Sequence, residues 1–306
     1  MSAALSPRTL SRRALLALSA GGALVVASGG GLRAQGGERL VIAGGDLTEI
    51  AFALGAGDRV AAVDTTSMFP PAVGPLPKVG YLRQLAPEGI LALAPDVVIG
   101  SADAGPPATL ERLAAAGVRV EIAPEGKDVS VIPAKIAFMG RALGREAQAE
   151  ALAARFTAQM EALEAALAPI EARPSVLFLL AAGRGAPMVS GTGTAAHEVI
   201  GLARGRNAVT DYEGYKPLSA EAAIAAAPEV LLVPDHAVGM MGGPEAILAR
   251  PEIAATPAGQ AGRLLVMDGL KLLGLGPRTP QAVAELARAL HPDLAETIPS
   301  PSGTPG

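Results

Sequence analysis

The sequence predicts an α/β protein of two lobes with mostly parallel sheets, joined by a long interdomain helix, with a ligand cleft between the lobes. Three observations carry this expectation. Short β-branched runs alternate with helix-length apolar patterns in both halves of the chain, the pattern of a parallel sheet covered on both faces. Between Val131 and Leu167 the apolar residues keep helical spacing with no strand among them. The third is an internal echo: QLAPEGILALAPDVVIG (Gln84 to Gly100) matches PLSAEAAIAAAPEVLLV (Pro217 to Val233), with Glu88 seven residues before Pro95 and Glu221 seven before Pro228. Any helix–proline–acid–strand unit of an α/β protein looks similar, but the shared spacing favours two related, Rossmann-like lobes. A chain of 306 residues is long enough for both.

In chain order, SPRTLSRRALLALSAGGALVVASGGGLRAQGG sets Arg12 and Arg13 before an apolar run from Ala14 to Ala27 and then small residues. That is the layout of an export signal, here residues 1–34 with cleavage near Ala34. The run is too short and glycine-broken for a membrane span, which needs about 20 apolar residues. Ser11-Arg12-Arg13 with Leu15 and Leu16 resembles a twin-arginine signal, although secretory signals also carry paired basic residues. The first lobe (38–130) reads strand RLVIAGG, helix DLTEIAFALGAG, strand RVAAVD, helix PEGILALA, strand PDVVIG, helix PATLERLAAAG and strand VRVEIA. Residues 131–168 form the connector. Thirty-odd helical residues reach roughly 50 Å, enough to cross between lobes, with Gly140 and Gly144 as points of interruption. The second lobe (174–293) resumes with SVLFLLAAG, and 294–306 reads as a flexible tail.

Composition excludes several functions. Hydrophobic content of 50% with a net charge of −4 describes a folded globular protein without a basic surface for nucleic acid. Cysteine is absent, which excludes a disulfide scaffold and attachment through a lipidated N-terminal cysteine. A soluble periplasmic protein, expected as a monomer, fits best.

The catalytic and cofactor motifs are missing as well. Gly44-Gly45 follows the first strand without the GxGxxG spacing of a dinucleotide site, and no P-loop lysine follows a glycine-rich turn. Gly191-Thr192-Gly193-Thr194 reads as a helix cap. The three histidines, His197, His236 and His291, stand in no nucleophile motif, and their dispersal disfavours a metal cage. No enzyme constellation emerges.

What remains is Tyr81, one of three tyrosines, in LPKVGYLRQLAPEG beside Arg83. A phenolate is a hard anionic donor suited to ferric iron, and tyrosine serves as an axial ligand of haem. A neighbouring guanidinium favours the phenolate form or pairs a carboxylate through forked hydrogen bonds. The same tyrosine could simply pack a turn.

VDTTSMFPPAVGPLPKVGYLRQLAPEGILALAPDVV, with GGDLTEIAFALGAGDRV before it and MVSGTGTAAHEVIGLA, GYKPLS and LLGLGPRTPQAV after it, resembles the periplasmic haem-binding proteins of bacterial haem-uptake ABC transporters. The resemblance covers nearly all of the mature chain. It belongs to a larger group that also holds vitamin B12 and ferric-siderophore binders, and the DTTS…VGYLR segment marks the haem branch. The resemblance implies ferric haem as the transported ligand in iron acquisition, an inner-membrane permease and its ATPase as partners, and Tyr81 as the axial ligand with Arg83 beside it. Some relatives add a second-lobe histidine; here that region reads Ala181-Ala182-Gly183-Arg184, which favours five-coordinate ligation by tyrosine. Glu88 and Glu221 match the glutamates that similar proteins dock onto permease arginines, and both also suit a helix first turn. Met68, Phe69, Met240 and Met241, in loops after strands, are expected as pocket walls, with core filling as the alternative for the methionines, and Lys271 and Arg278 as propionate partners, with bracing of its own glycine-rich loop as the alternative for Arg278. A siderophore or corrinoid on the same fold is the nearest alternative, and an exported α/β oxidoreductase is the alternative from another class.

Overall fold

The computed structural model describes residues 37–180 and 186–301. The export segment, its cleavage point near Ala34, the Ala181–Arg184 stretch and the end of the chain from 302 lie outside the described residues. The first lobe runs β1 (Leu40–Ala43), α1 (Gly45–Ala53), β2 (Val60–Val63), α2 (Pro87–Leu91), β3 (Val97–Gly100), α3 (Pro107–Ala115) and β4 (Arg119–Ile122). Its sheet has the order β2-β1-β3-β4, with every pairing parallel. Leu40 and Ile42 enter the core on one face of β1, while Val41 and Ala43 enter the core on the other. A strand buried on both faces therefore reads as an unbroken apolar run.

Two helices follow, α4 (Val131–Leu143) and α5 (Glu146–Leu167), where a single helix over 131–168 is expected from the periodicity. Gly144 causes the break: it closes α4 in the left-handed conformation at φ 65°, ψ 42°, which glycine adopts without a Cβ clash. Gly140 stays helical. A Cβ there would approach the Ala149 Cβ to 2.5 Å, so this glycine lets α4 and α5 cross closely. The 22 residues of α5 extend about 33 Å and serve both lobes. Ala149, Leu152 and Phe156 belong to the first lobe's core, Leu163 and Leu167 to the second's, and Met160 packs against both.

The second lobe contains β5 (Ser175–Leu180), β6 (Met188–Ser190), α6 (Ala195–Leu202), β7 (Arg206–Asn207), β8 (Tyr215–Pro217), α7 (Ala220–Ala226) and β9 (Val230–Pro234). Four short helices come next: α8 (Asp235–Met240), α9 (Pro244–Leu248), α10 (Pro251–Ala254) and α11 (Pro257–Gln260). β10 (Leu264–Met267), α12 (Gly269–Leu273) and α13 (Thr279–Leu290) complete it. β10, β9, β5 and β7 pair in parallel, whereas β6 and β8 join antiparallel, so this sheet is mixed. The tail expected from 294 is instead packed at its start. Pro292–Thr297 form a 3-10 helix, apolar Ile298 is buried in the second lobe's core, and Arg288 Nη2 donates to the Ile298 and Pro299 carbonyls at 2.8 and 2.6 Å.

Candidate functional site

The C-terminal ends of the parallel strands in both lobes face a cleft of about 860 Å³, where open α/β sheets place ligands. The loop after β2 is organised by buried Asp64. Its carboxylate accepts from Gly44 N at 3.0 Å, Thr66 N at 2.9 Å, Thr66 Oγ1 at 2.6 Å and Ser67 Oγ at 2.6 Å. This accounts physically for the DTTS segment: one acid ties the loop after β2 to the start of α1, and Thr65, Thr66 and Met68 then line the cleft.

Tyr81 stands at the next turn. Gly80 takes a positive φ of 97° while its carbonyl accepts from Thr65 N at 2.9 Å, and the Tyr81 carbonyl accepts from Gln84 N at 2.7 Å. Leu82 and Leu85 are buried in the core below, so the backbone is clamped and the ring projects into the cleft wall, 39% exposed. Arg83 Nη1 donates to the Tyr81 hydroxyl at 2.5 Å and Nη2 to Asp103 at 2.5 Å. Burial works against the Arg83 charge, but Tyr81 and Asp103 outweigh it and lift the guanidinium above its ordinary pKa. The site thus offers an accessible phenol oxygen held beside a permanent cation.

The second lobe contributes Tyr215, His236, Leu270 and Leu273. The Tyr215 ring packs edge-on against Phe178, with centroids 6.3 Å apart. His236 is a cleft residue that the sequence analysis places in no motif; its place directly after β9, in VLLVPDH, is the signal that could have found it. Gly191–Thr194 does cap a helix, Thr194 Oγ1 accepting from His197 N at 3.1 Å.

Several expected pocket residues stand elsewhere. Arg278 is not in the lining: Nε and Nη2 both donate to Glu49 Oε1 at 3.0 and 2.5 Å, and Nη1 donates to Asp268 at 2.8 Å. Glu49 lies on α1, so this buried group ties the lobes together. Phe69, expected as a pocket wall, supports that tie, with the Arg278 guanidinium 3.9 Å from its ring centroid. Lys271 pairs with Glu285 of α13 instead of facing the cleft. Met241 packs against the second lobe's outer core, and Met240, 60% exposed, lies outside the lining. Of the four expected wall residues, only Met68 lines the cleft. Glu88 and Glu221 are exposed in the first turns of α2 and α7; Glu88 pairs with Arg112 at 3.0 Å.

Known proteins share this architecture. The periplasmic haem-binding protein RhuT of Roseiflexus sp. RS-1 is 41% identical, with a TM-score of 0.80 over 86% of this chain and 99% of that one. The periplasmic haem-binding protein HutB of Vibrio cholerae is 36% identical, with a TM-score of 0.74 over 83% of this chain and 99% of that one. A vitamin B12-binding protein of Vibrio campbellii is 29% identical over 66% of this chain and 72% of its own length. The family model described as periplasmic binding protein matches residues 40–269. The chain belongs to the periplasmic binding protein family.

Proposed function

We propose that this protein is a periplasmic carrier that takes ferric haem into the interlobe cleft, with the Tyr81 phenolate as sole axial ligand, and delivers it to an inner-membrane ABC importer. The observation that carries the reading is the Tyr81 hydroxyl, exposed in the cleft wall with Arg83 at 2.5 Å and Asp103 behind it. The likeness to haem-binding RhuT and HutB supports haem as the cargo. Ferric iron favours a phenolate. Ligation expels the phenolic proton, so acid competes with the metal, and Arg83 donates a charge-assisted bond to the oxygen that remains. Met68, Leu270, Leu273 and Leu275 give the porphyrin apolar walls. The chain acts by binding and release rather than by bond chemistry. Glu88 and Glu221, one per lobe, are proposed to meet permease arginines, since opposite charges set orientation at such contacts.

Hemin titration followed by visible absorption tests the reading. The parent gives a tyrosinate-ligated ferric spectrum, Tyr81→Ala loses most binding while staying folded, and His236→Ala keeps the parent spectrum. An unchanged spectrum in Tyr81→Ala removes the ligand assignment, and a changed one in His236→Ala replaces five-coordinate ligation with a tyrosine–histidine pair. The vitamin B12-binding relative supports a second reading, a corrinoid cargo. Cobalamin binding without a hemin spectrum would establish it.

A further inference from the structure

Three side chains in the described cleft lining carry a lasting positive charge: Arg83, Lys127 and Lys135. Their engagements differ. Lys135 Nζ meets Asp46 Oδ2 at 2.7 Å with the two side chains only 10% and 8% exposed, and separating them would leave a buried charge alone. Arg83 is shared between Tyr81 and Asp103. Lys127, in the first lobe's loop after β4, reaches Glu213 in the second lobe's loop before β8 at 2.6 Å, with both side chains largely exposed. Glu125 adds a weaker attraction to the same ammonium. Gly126, Gly193 and Gly214 line the cleft beside this pair, so it spans the gap from lobe to lobe at the solvent edge. A hydrated ion pair of this kind is weak and screened by salt. Its carboxylate is readily exchanged for another.

We infer that Lys127 receives a carboxylate of the cleft ligand in exchange for Glu213. The inference rests on the haem reading, in which the cargo brings two propionates. In the empty protein Glu213 holds the ammonium over the cleft edge; on binding, a propionate oxygen takes its donors and Glu213 turns to water. The number of ion pairs is conserved, and the ligand carboxylate stays at the hydrated rim. Lys127 is thus a binding residue already stationed at the entrance, and Glu213 is an internal competitor that mimics the ligand's charge.

Hemin titrations of the full chain at low ionic strength test this with opposite-signed variants. Lys127→Ala weakens hemin binding about 2–5-fold, and Glu213→Gln, which removes the competitor, tightens it about 2-fold, the scale of an exposed pair. Neither variant changes binding of the ferric protoporphyrin dimethyl ester, which lacks free carboxylates. A pair that only holds the lobes together would move both variants in one direction. Shifts of the same sign, or no shift in either, overturn the exchange while the parent's hemin spectrum leaves the haem reading standing. A parent without any hemin spectrum overturns both.

Discussion

Replacing Arg278 with methionine removes the cation from a group shared by both lobes and leaves Glu49 in the interior. The Arg278 and Glu49 side chains are 10% and 3% exposed, so solvent does little to moderate the loss. Breaking one side of such a pair costs about 3–5 kcal/mol, and at about 2–4 °C per kcal/mol for a chain of this size the melting temperature falls by about 6–20 °C. Converting both residues, Glu49→Met with Arg278→Met, removes the stranded carboxylate and restores most of that loss. The deficit also depends on pH. Burial pushes the Glu49 carboxyl up, and Arg278 is the principal influence pulling it down. Without Arg278, native Glu49 binds a proton that the unfolded chain releases. The deficit is therefore full above the raised native pKa, shrinks as pH falls through it, and levels off near the unfolded value of about 4.3. Thermal melts of the parent and the two variants across pH, with hemin spectra recorded in parallel, check all of this. The spectra should match the parent's, because Arg278 faces Glu49 and Asp268 and not the cleft. An R278M variant that melts with the parent at neutral pH, or that loses its hemin spectrum while folded, refutes the reasoning.

Arg83→Ala should bind hemin about tenfold more weakly, the scale of one hydrogen bond to a charged group, with the ferric spectrum collapsing at a higher pH than the parent's; a pH titration overlaying the parent's would show that the guanidinium does not support the phenolate. Tyr212→Phe and Tyr215→Phe should leave the spectrum unaltered, since the Tyr212 hydroxyl already donates to the Val189 carbonyl at 3.1 Å and the Tyr215 ring is packed against Phe178. Reversing Glu88 and Glu221 together to lysine should preserve hemin binding and abolish transfer to reconstituted importer, each single reversal acting partially. If the acids serve only the helix dipoles, uptake stays at parent level and the variants show only a loss of about 0.3–1 kcal/mol in stability.

The central strands β1, β3, β5 and β9 were legible because they are buried on two faces: Val230 and Leu232 of β9 enter one core while Leu231 and Val233 enter another. Tyr81 lines the cleft, but its local chemistry, a tyrosine between a glycine and an arginine two positions on, left a packed turn open, and only the family resemblance singled it out. The role of Arg278 was not legible, because its partner Glu49 lies 229 positions away and nothing in either neighbourhood announces the pairing. Phe69 follows a true cleft residue, Met68, yet its ring turns to that distant guanidinium. The connector's periodicity continues through Gly140 and Gly144 alike; only the close crossing of α4 and α5 decides which glycine bends the chain. The α8–α11 run leaves no periodic signature in the sequence because each helix has only four to six residues, less than two turns of periodicity.

The ionic contacts between the lobes divide by burial into two kinds, and the division bears on how a carrier of this family works. Glu49, Arg278 and Asp268 make a bridge whose interior members cannot part without stranding a charge. The crossing of α5 through both cores resists separation as well. At the solvent edge of the cleft, Lys127 and Glu213 are held only by a hydrated pair that another carboxylate can replace. A structure braced deep inside and loosely tied at its edge has little reason to open wide. Under the proposed function, haem enters by displacing Glu213 while the lobes keep their spacing, and Tyr81 meets the iron on a wall whose backbone is already clamped. Release must then come from the partner, which would have to supply at the docking faces a free energy at least comparable to that of the phenolate–iron bond and the contacts around it. Binding energy at Glu88 and Glu221 alone is too small for that, since exposed ion pairs contribute about 0.2–1 kcal/mol each. The two acids are thus suited to setting the orientation of the carrier, while the force that empties the cleft has to come from the importer's own conformational cycle.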